Sequence, residues 1–160
     1  YELPNDRPDF ANVADLWGRG WSVIPVRYGD KRPAIASWTV YQQRRPTFEE
    51  LESWFGPSPR YNVGIVTGRV SGIFVVDADS ADAVAWATAT LPPCDMRVRT
   101  AKGLHLYYPY SGDRPIRNRA RVRFRGRTLA LDIRGEGGYV VGPGSVHASG
   151  VTYTREGGGW

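Results

Sequence analysis

Residues 62–79 have the sequence NVGIVTGRVSGIFVVDAD, and this stretch indicates how the chain folds. Two short runs rich in β-branched residues, 62–68 and 72–79, lie on either side of a Ser-Gly turn, which is typical of successive strands. The second run ends in Asp77 and Asp79, and the period of two along a strand places both carboxylates on the same face. The stretch therefore predicts a β-sheet that carries a pair of acids at the end of one strand.

The rest of the chain alternates between further strand patterns and three helical ones. The helices begin at recognisable signals, among them a capping box formed by Thr47 and Glu50 and an N-cap at Ser80. This order of elements predicts an α+β domain built on a mainly antiparallel sheet with flanking helices. Helices are predicted at 10–19, 47–55 and 80–90, a loop at 28–38, and further strands at 21–27, 96–100, 104–110, 122–126, 128–135, 138–145 and 151–154.

Length and composition exclude several classes of protein. The 160 residues suit one domain spanning 1–160, and 41% hydrophobic with 23% charged residues argues against disorder. No run of about 18 apolar residues is present, so a membrane span is excluded. Cys94 is the only cysteine, which excludes an internal disulfide framework and a zinc site built on several cysteines. We therefore expect a cytoplasmic domain that needs neither zinc nor a membrane.

The net charge of +5 is concentrated in one segment. Residues 97–127 contain ten basic side chains and one acid, Asp113, whereas the remainder of the chain carries a small negative balance. A positive segment on an otherwise neutral body is typical of a protein that binds a polyanion.

Six arginines recur at every second position within this segment, from Arg117 to Arg127. In a strand this spacing predicts that all six lie on one face, while Ala120, Val122 and Phe124 form the buried face. Guanidinium groups in a row repel one another unless phosphates or carboxylates lie nearby, which favours contact with nucleic acid. The alternative is a solvated strand that protects the edge of a sheet. The predicted DNA contacts are Arg117, Arg119, Arg121, Arg123 and Arg125.

Asp132 lies in the strand pattern TLALDIRG, between two apolar neighbours. An acid within a buried strand is costly unless a cation neutralises it. One candidate is Arg134, two residues away on the same face, and the other is a divalent ion shared with Asp77 and Asp79. Oxygen ligands favour Mg²⁺ or Mn²⁺ over Zn²⁺, and three carboxylates from two strands suffice for a two-metal site of phosphoryl transfer.

Two further segments carry residues that suit a phosphate. His105 follows Lys102 and a glycine in the pattern RTAKGLHLYY, which supplies a cation and a backbone that a phosphate can approach closely. A lone histidine in a strand is more often structural, but the lysine and the acids favour a phosphate contact here. Ser145 and His147 lie in the glycine-rich stretch 135–147, which is neither a Walker A loop nor a dinucleotide-binding loop. Both are nevertheless candidates for phosphate contact.

The order of these segments resembles the bifunctional primase–polymerase N-terminal domain family of the archaeo-eukaryotic primase superfamily. The resemblance extends from Gly20 to Tyr153 and combines several ordered motifs, which makes it specific. Members of the family occur in replication proteins of plasmids, phages and mobile elements. The segments that carry it are GWSVIPVRYGDKRPAIASW, NVGIVTG, SGIFVVDAD, RTAKGLHLYY and LDIRGEGGYVVGPGSVHASGVTY.

The resemblance implies a metal site made of three aspartates. The family's D-x-D motif falls on Asp77 and Asp79, and the strand aspartate that completes its metal site falls on Asp132. These catalytic residues would hold two Mg²⁺ or Mn²⁺ ions on an RRM-like sheet. Relatives often carry a zinc-binding stem as well, which a chain with one cysteine cannot build.

The resemblance also implies a nucleotide site. The family's S-x-H motif, whose histidine contacts the triphosphate, falls on His105, with Gly103 at the serine position. Thr100 or Lys102 is therefore expected to supply the missing contact. The predicted nucleotide-binding set is completed by polar residues near these motifs: Arg134, Ser145 and His147.

Together these features predict a template-directed nucleotidyltransferase, a DNA primase or polymerase that adds ribo- or deoxynucleotides to a 3′-OH on single-stranded or primed DNA. The chain does not begin with Met, and relatives commonly continue into a helical bundle and a helicase, so we expect the N-terminal part of a larger replication protein. A metal-dependent nuclease or phosphohydrolase is one alternative, because acidic clusters on sheets also cleave phosphodiesters. A non-catalytic RRM-like module that binds single strands is another, although the aromatic RNP1 pattern of that class is absent.

Overall fold

A computed structural model describes residues 10–56 and 61–156. In this part of the chain the fold is α+β, with three α-helices, a short 3₁₀ helix at Thr39–Gln42 and ten short strands in antiparallel sheets. The outer limits of the predicted domain, 1 and 160, lie outside the described residues. None of the described helices has the length and apolar character needed to cross a bilayer. The elements are α1 (Phe10–Gly18), β1 (Ser22–Val26), α2 (Phe48–Phe55), β2 (Asn62–Val66), β3 (Ile73–Ala78), α3 (Ala81–Thr90), β4 (Met96–Arg99), β5 (Leu104–Pro109), β6 (Arg123–Phe124), β7 (Arg127–Thr128), β8 (Leu131–Arg134), β9 (Tyr139–Val141) and β10 (Thr154–Glu156).

The three predicted helices are confirmed, with ends close to those that the sequence indicates. At α2 the Thr47 side chain accepts a hydrogen bond from the Glu50 backbone N–H, and the Glu50 side chain accepts one from the Thr47 N–H. At α3 the Ser80 hydroxyl caps the helix by accepting from the Ala83 N–H at 3.1 Å. Short-range sequence signals therefore fix where these two helices begin.

The strands form two main sheets and one small hairpin. β1, β2 and β9 form a three-stranded sheet, whereas the larger sheet has the order β10-β4-β5-β3-β8. The predicted hairpin of β4 and β5 is present, with Val98 opposite His105. The hairpin of β6 and β7 stands next to the edge strand β8, since the Val122 N–H donates to the Leu131 carbonyl at 2.9 Å.

The two runs of residues 62–79 belong to different sheets. β2 lies between β1 and β9, while β3 lies between β5 and β8 in the larger sheet. The chain crosses over in a tight turn in which the Gly68 N–H donates to the Ile73 carbonyl at 2.7 Å. Gly68 and Gly72 have φ values of +100° and +69°, a conformation that glycine adopts without the steric cost of a side chain. The turn therefore joins the two sheets of the molecule.

The five-stranded sheet is buried on both faces. One face packs on α3 through residues such as Leu104, and the other packs on the three-stranded sheet, α1 and α2 through Val75 and Tyr107. Residues that lie directly opposite one another in neighbouring strands share a face. The second face therefore continues from its apolar residues into Asp77 and His105, which face each other in the β3–β5 ladder.

The arginine-rich segment is not the continuous strand that its spacing predicts. Arg121 and Arg125 have positive φ values of 49° and 50°, and the chain reverses direction between β6 and β7. The prediction of a single arginine face is therefore wrong, because left-handed residues and a turn interrupt the alternation of side chains. Ala120 and Phe124, predicted to be buried, are exposed, whereas Val122 packs against the core on the α3 side.

Candidate active site

Three of the predicted site residues lie side by side across three neighbouring strands. Asp77 on β3 is directly opposite His105 on β5 and, on its other side, directly opposite Asp132 on β8. Because directly opposed residues project from the same face of a sheet, the three side chains form one polar row. The sequence predicts the three residues, but only the register of the strands aligns them.

Asp77 lies against the ring of His105. The His105 Nε2 lies 3.3 Å from the Asp77 Oδ1, and the histidine is only 5% exposed. The other ring nitrogen, Nδ1, is buried and has no hydrogen-bond partner among the described residues. Burial works to raise the pKa of Asp77, but the hydrogen bond and charge of His105, with the charges of Arg134 and Lys31, outweigh it and lower that pKa. The row therefore holds an ionised carboxylate in a largely buried position.

The Asp132 carboxylate has two hydrogen-bond donors. Its carboxylate accepts a hydrogen bond from the Arg121 backbone N–H at 2.9 Å and another from the Arg134 Nη2 at 3.1 Å. The sequence offers two cations that could neutralise this acid, Arg134 and a divalent ion, and the structure has the ion pair with Arg134. The contact with Arg121 fixes the arginine-rich segment to the edge of the acidic row.

A cleft beside the row, here called the phosphate cleft, gathers all the lysines and histidines of the chain. These four residues line it together with Asp77 and Asp79. Thr100 also lines it, and its hydroxyl accepts a hydrogen bond from the Gly103 N–H at 3.0 Å within the β4–β5 turn. Carboxylates suit a divalent cation and ammonium groups suit phosphates, so the lining of this cleft offers groups for both kinds of ligand. The four basic residues are Lys31, Lys102, His105 and His147.

Tyr153 lies between the two histidines of the phosphate cleft. Its ring centroid is 6.1 Å from that of His105 and 6.4 Å from that of His147. Burial, with the nearby charges of Asp77 and Asp79, raises the pKa of Tyr153 to about 12. The phenol therefore stays neutral and packs between the imidazoles without adding charge.

A second cleft of about 200 Å³, here called the aromatic cleft, adjoins the same row. Asp77, His105 and Arg134 line it, together with Trp38 and Tyr139. The two aromatic rings meet edge to face, with centroids 5.0 Å apart. Aromatic rings beside charged groups suit a nucleobase whose phosphates lie close by.

Ser145 does not reach either cleft. It is fully buried, and its hydroxyl accepts from the Val63 N–H at 3.0 Å and donates to the Val63 carbonyl at 3.3 Å. The predicted phosphate contact at Ser145 is therefore wrong, because this hydroxyl joins two segments that lie 82 positions apart in the chain.

The carboxylates suit a divalent cation in their chemistry, but they are not gathered into a complete set of ligands. Asp77 and Asp79 both open on the phosphate cleft, and their oxygen atoms are the ligands that Mg²⁺ and Mn²⁺ prefer. In the described ranges, no three His, Cys, Asp or Glu side chains are placed together to hold a metal ion. The Asp132 carboxylate instead accepts hydrogen bonds from Arg121 and Arg134.

Sequence reasoning missed three residues that line the clefts. Lys31 lies on the loop between β1 and the 3₁₀ helix, Tyr153 precedes β10, and Asn118 lines the aromatic cleft while its Oδ1 accepts from the Gly135 N–H at 2.9 Å. Lys31 is one of two lysines among 21 basic residues, a rarity that could have marked it. Nothing local in the sequence distinguishes Tyr153 or Asn118.

The predicted DNA-binding arginines are exposed on the irregular segment and on the β6–β7 hairpin. In the part of the chain that the structure describes, no salt bridge joins any of them to a carboxylate. At the hairpin the Arg125 guanidinium lies 5.3 Å from the centre of the Phe124 ring, which lies 5.2 Å from that of Trp86. Positive charge beside an exposed aromatic ring suits a single-stranded nucleic acid. The exposed arginines are Arg117, Arg119, Arg121, Arg123 and Arg125.

An α+β fold with acids and four basic residues around one cleft suits a protein that binds nucleotides or other polyphosphates. Comparison with protein families makes this class specific, because the family described as bifunctional DNA primase/polymerase, N-terminal, matches residues 13–158. The chain belongs to this family. The activity of this family is nucleotidyl transfer of the primase/polymerase type, which implies a DNA template and nucleotide substrates and generally depends on a divalent metal. No curated protein matches the chain as a relative.

Proposed function

We propose that this chain catalyses template-directed nucleotidyl transfer in DNA replication. The 3′-OH of a primer, or of a first nucleotide, attacks the α-phosphate of an incoming nucleotide, and pyrophosphate leaves. The observation that carries the proposal is the row of Asp132, Asp77 and His105, which borders a cleft lined by both lysines. This transfer requires acids that bind metal ions and cations that bind the triphosphate.

Asp77, Asp79 and Asp132 are the residues that we propose to hold two divalent cations, Mg²⁺ or Mn²⁺. Such ions, when bound, would activate the attacking hydroxyl and offset the charge on the leaving pyrophosphate. The lowered pKa of Asp77 supports this assignment, because a ligand must be ionised to bind. Arg134, which now pairs with Asp132 and lines the aromatic cleft, would then be free to donate to the nucleotide.

The triphosphate of the nucleotide would lie in the phosphate cleft. Lys102, Thr100 and His147 line this cleft and offer donors to phosphate oxygens. His105 offers its Nε2–H, the same group that now lies 3.3 Å from Asp77. Since the Nδ1 of His105 is buried, a phosphate oxygen would meet this residue at Nε2.

The exposed arginines would hold the backbone of the template or primer. Their charge is concentrated on the β6–β7 hairpin and on the segment before it, which the Arg121 N–H fixes to Asp132 at the edge of the site. A strand bound there would enter the site beside the acidic row. Because the contacts are to phosphates, binding would depend on salt and not on base sequence.

Replication proteins combine several activities, and we expect a helicase module to act with this domain. Family membership supports a role in replication, which for a phage, a plasmid or another mobile element takes place in the cytoplasm of its host. Copying of the full replicon in a reconstituted system, with and without a helicase, tests that part of the proposal.

The test of the activity is nucleotide incorporation on single-stranded and on primed DNA, with ribo- and deoxynucleotides and with Mg²⁺ or Mn²⁺. We expect Asp77→Ala and Asp132→Ala to abolish incorporation, because each removes a carboxylate of the row. Asp82→Ala is the matched control, since Asp82 is an exposed acid in the first turn of α3. Near-normal incorporation by Asp132→Ala would contradict the three-carboxylate site. Shortening of the DNA without incorporation would favour a nuclease instead.

A second comparison tests the role of His105. We expect His105→Ala to raise the apparent KM for the nucleotide while DNA binding changes little. His105→Gln carries an amide N–H near the position of Nε2, whereas His105→Asn carries one near Nδ1, so Gln should restore more of the nucleotide affinity than Asn. Loss of DNA affinity with normal nucleotide binding would move His105 out of the triphosphate site.

A further inference from the structure

The loop that follows β1 brings Lys31 to the clefts from the three-stranded sheet. Lys31 lines the phosphate cleft together with Lys102, and it also lines the aromatic cleft. Lys102 comes from the turn between β4 and β5, in the larger sheet. The two ammonium groups therefore approach one cleft from two different sheets.

Lysine is rare in this chain, so the presence of two lysines in one cleft is notable. The chain has 21 basic residues other than histidine, and Lys31 and Lys102 are its only lysines, yet both line the same cleft as Asp77 and Asp79. An ammonium group is a compact charge with three rotatable donors, which suits phosphate oxygens that change position during a reaction. The acids of the cleft suit metal ions, whereas the two lysines suit an anionic ligand.

The backbone of the Lys31 loop is held in place while its ammonium group is not. The Arg27 N–H donates to the Arg32 carbonyl at 2.9 Å, and the Tyr139 hydroxyl donates to the Lys31 carbonyl. Asp30 pairs with Arg27 and Arg32, each at 3.4 Å. Among the residues that the structure describes, the Lys31 ammonium has no hydrogen-bond or salt-bridge partner, although its charge contributes to the lowered pKa of Asp77. A fixed backbone that carries such a cation beside a cleft is suited to a ligand.

Arg32, the next residue, provides the contrast. Its side chain is 72% exposed, it pairs with Asp30, and it lines neither cleft. Lys31 and Arg32 are both exposed, but only Lys31 lines the two clefts. Exposure and charge are therefore shared by the two residues, and the position of Lys31 beside the clefts is what distinguishes it.

We propose that Lys31 donates to the polyphosphate tail of the incoming nucleotide, in the cleft that Lys102 also lines. This assignment rests on the proposed function, since it names a further phosphate contact in the same site. Its cation would stabilise the triphosphate in the cleft and the pyrophosphate as it leaves. This role differs from that of a counter-ion of Asp77 and Asp79, in which Lys31 would stabilise the fold without selecting a ligand.

The test compares Lys31→Ala, Lys31→Arg and the control Arg32→Ala in the 160-residue chain. Binding of a nucleoside triphosphate and of the corresponding monophosphate is measured by calorimetry with Mg²⁺ and without DNA. We expect Lys31→Ala to weaken triphosphate binding about tenfold or more, to change monophosphate binding much less, and to leave DNA affinity unchanged. Lys31→Arg should retain most of the affinity, and Arg32→Ala should bind as the parent does.

Several results would overturn this assignment. Unchanged triphosphate binding by Lys31→Ala, equal loss of both nucleotides, or an equal loss in Arg32→Ala would each do so, and so would a parent chain that binds no triphosphate. A lower melting temperature of Lys31→Ala with normal nucleotide binding would indicate the counter-ion role instead. A parent that binds triphosphate and incorporates no nucleotide would contradict the proposed function but not the contact by Lys31.

Discussion

Gly103→Ser would restore the residue that the family's S-x-H motif has at this position, and we expect it to damage the protein. A Cβ added at Gly103 would lie 1.9 Å from the carbonyl oxygen of Ala78 and 2.9 Å from its carbon, whereas real Cβ atoms essentially never come closer than 3.0 Å. Both obstacles are backbone atoms of β3, so no side-chain rotation relieves the clash. The β4–β5 turn and β3 would have to separate by more than 1 Å.

The size of the effect follows from this displacement. Overpacking costs about 1–3 kcal/mol, which for a domain of this length lowers the melting temperature by roughly 3–10 °C. Ala78 lies between Asp77 and Asp79 in the chain, so a shift of β3 also moves both carboxylates. A misplacement of about 1 Å at reacting groups can reduce a rate by about a hundredfold. We therefore expect loss of stability and of incorporation together.

Thermal unfolding followed by circular dichroism measures the first effect, and incorporation at a temperature where the variant is folded measures the second. Gly18→Ser is the matched control, because Gly18 ends α1 and a Cβ added there meets no atom within 4 Å. We expect this control to unfold within about 1 °C of the parent or slightly above it, since serine is a better helix residue than glycine. An unchanged melting temperature for Gly103→Ser, or faster incorporation, would refute the steric reasoning and would indicate that the added hydroxyl restores a contact.

Three other predictions follow from the contacts described above. Ser145→Ala should lower the free energy of unfolding by about 1–3 kcal/mol, because it leaves the buried Val63 N–H without its partner, and a raised KM for nucleotide with unchanged stability would contradict this. The lowered pKa of Asp77 adds stability that is present above about pH 4 and lost as the pH falls through the pKa of the folded state, so Asp77→Asn should flatten the decline of urea midpoints below that pH. Equal declines in parent and variant would refute this linkage. Replacing Arg123 and Arg125 by Gln should reduce the slope of log K against log salt for single-stranded DNA by up to about 1.4, and an unchanged slope would place the DNA elsewhere.

The elements that the sequence predicted correctly are those set by neighbours in the chain. The capping box at Thr47 and the N-cap at Ser80 act on N–H groups three residues away, so the pattern of residue types is enough to locate them. The β4–β5 hairpin is similar, since a short turn fixes which residues of the two strands pair. Asp77 and Asp79 share a cleft for the same reason, because alternation along one strand decides their direction.

Other features depend on contacts between distant parts of the chain, and the sequence alone did not determine them. The arginine spacing predicted one charged face, but a hydrogen bond from Arg121 to Asp132 and a reversal of the chain produced a hairpin instead. Ser145 was expected to contact a phosphate, but its hydroxyl is hydrogen-bonded to Val63, 82 positions away. Lys31 follows β1 of the three-stranded sheet and lines the same cleft as Asp77 of the larger sheet, a convergence that depends on how the two sheets pack. Periodicity records the direction of a side chain relative to its own strand, whereas the partner that it meets is decided by strand order and packing, which no local pattern contains.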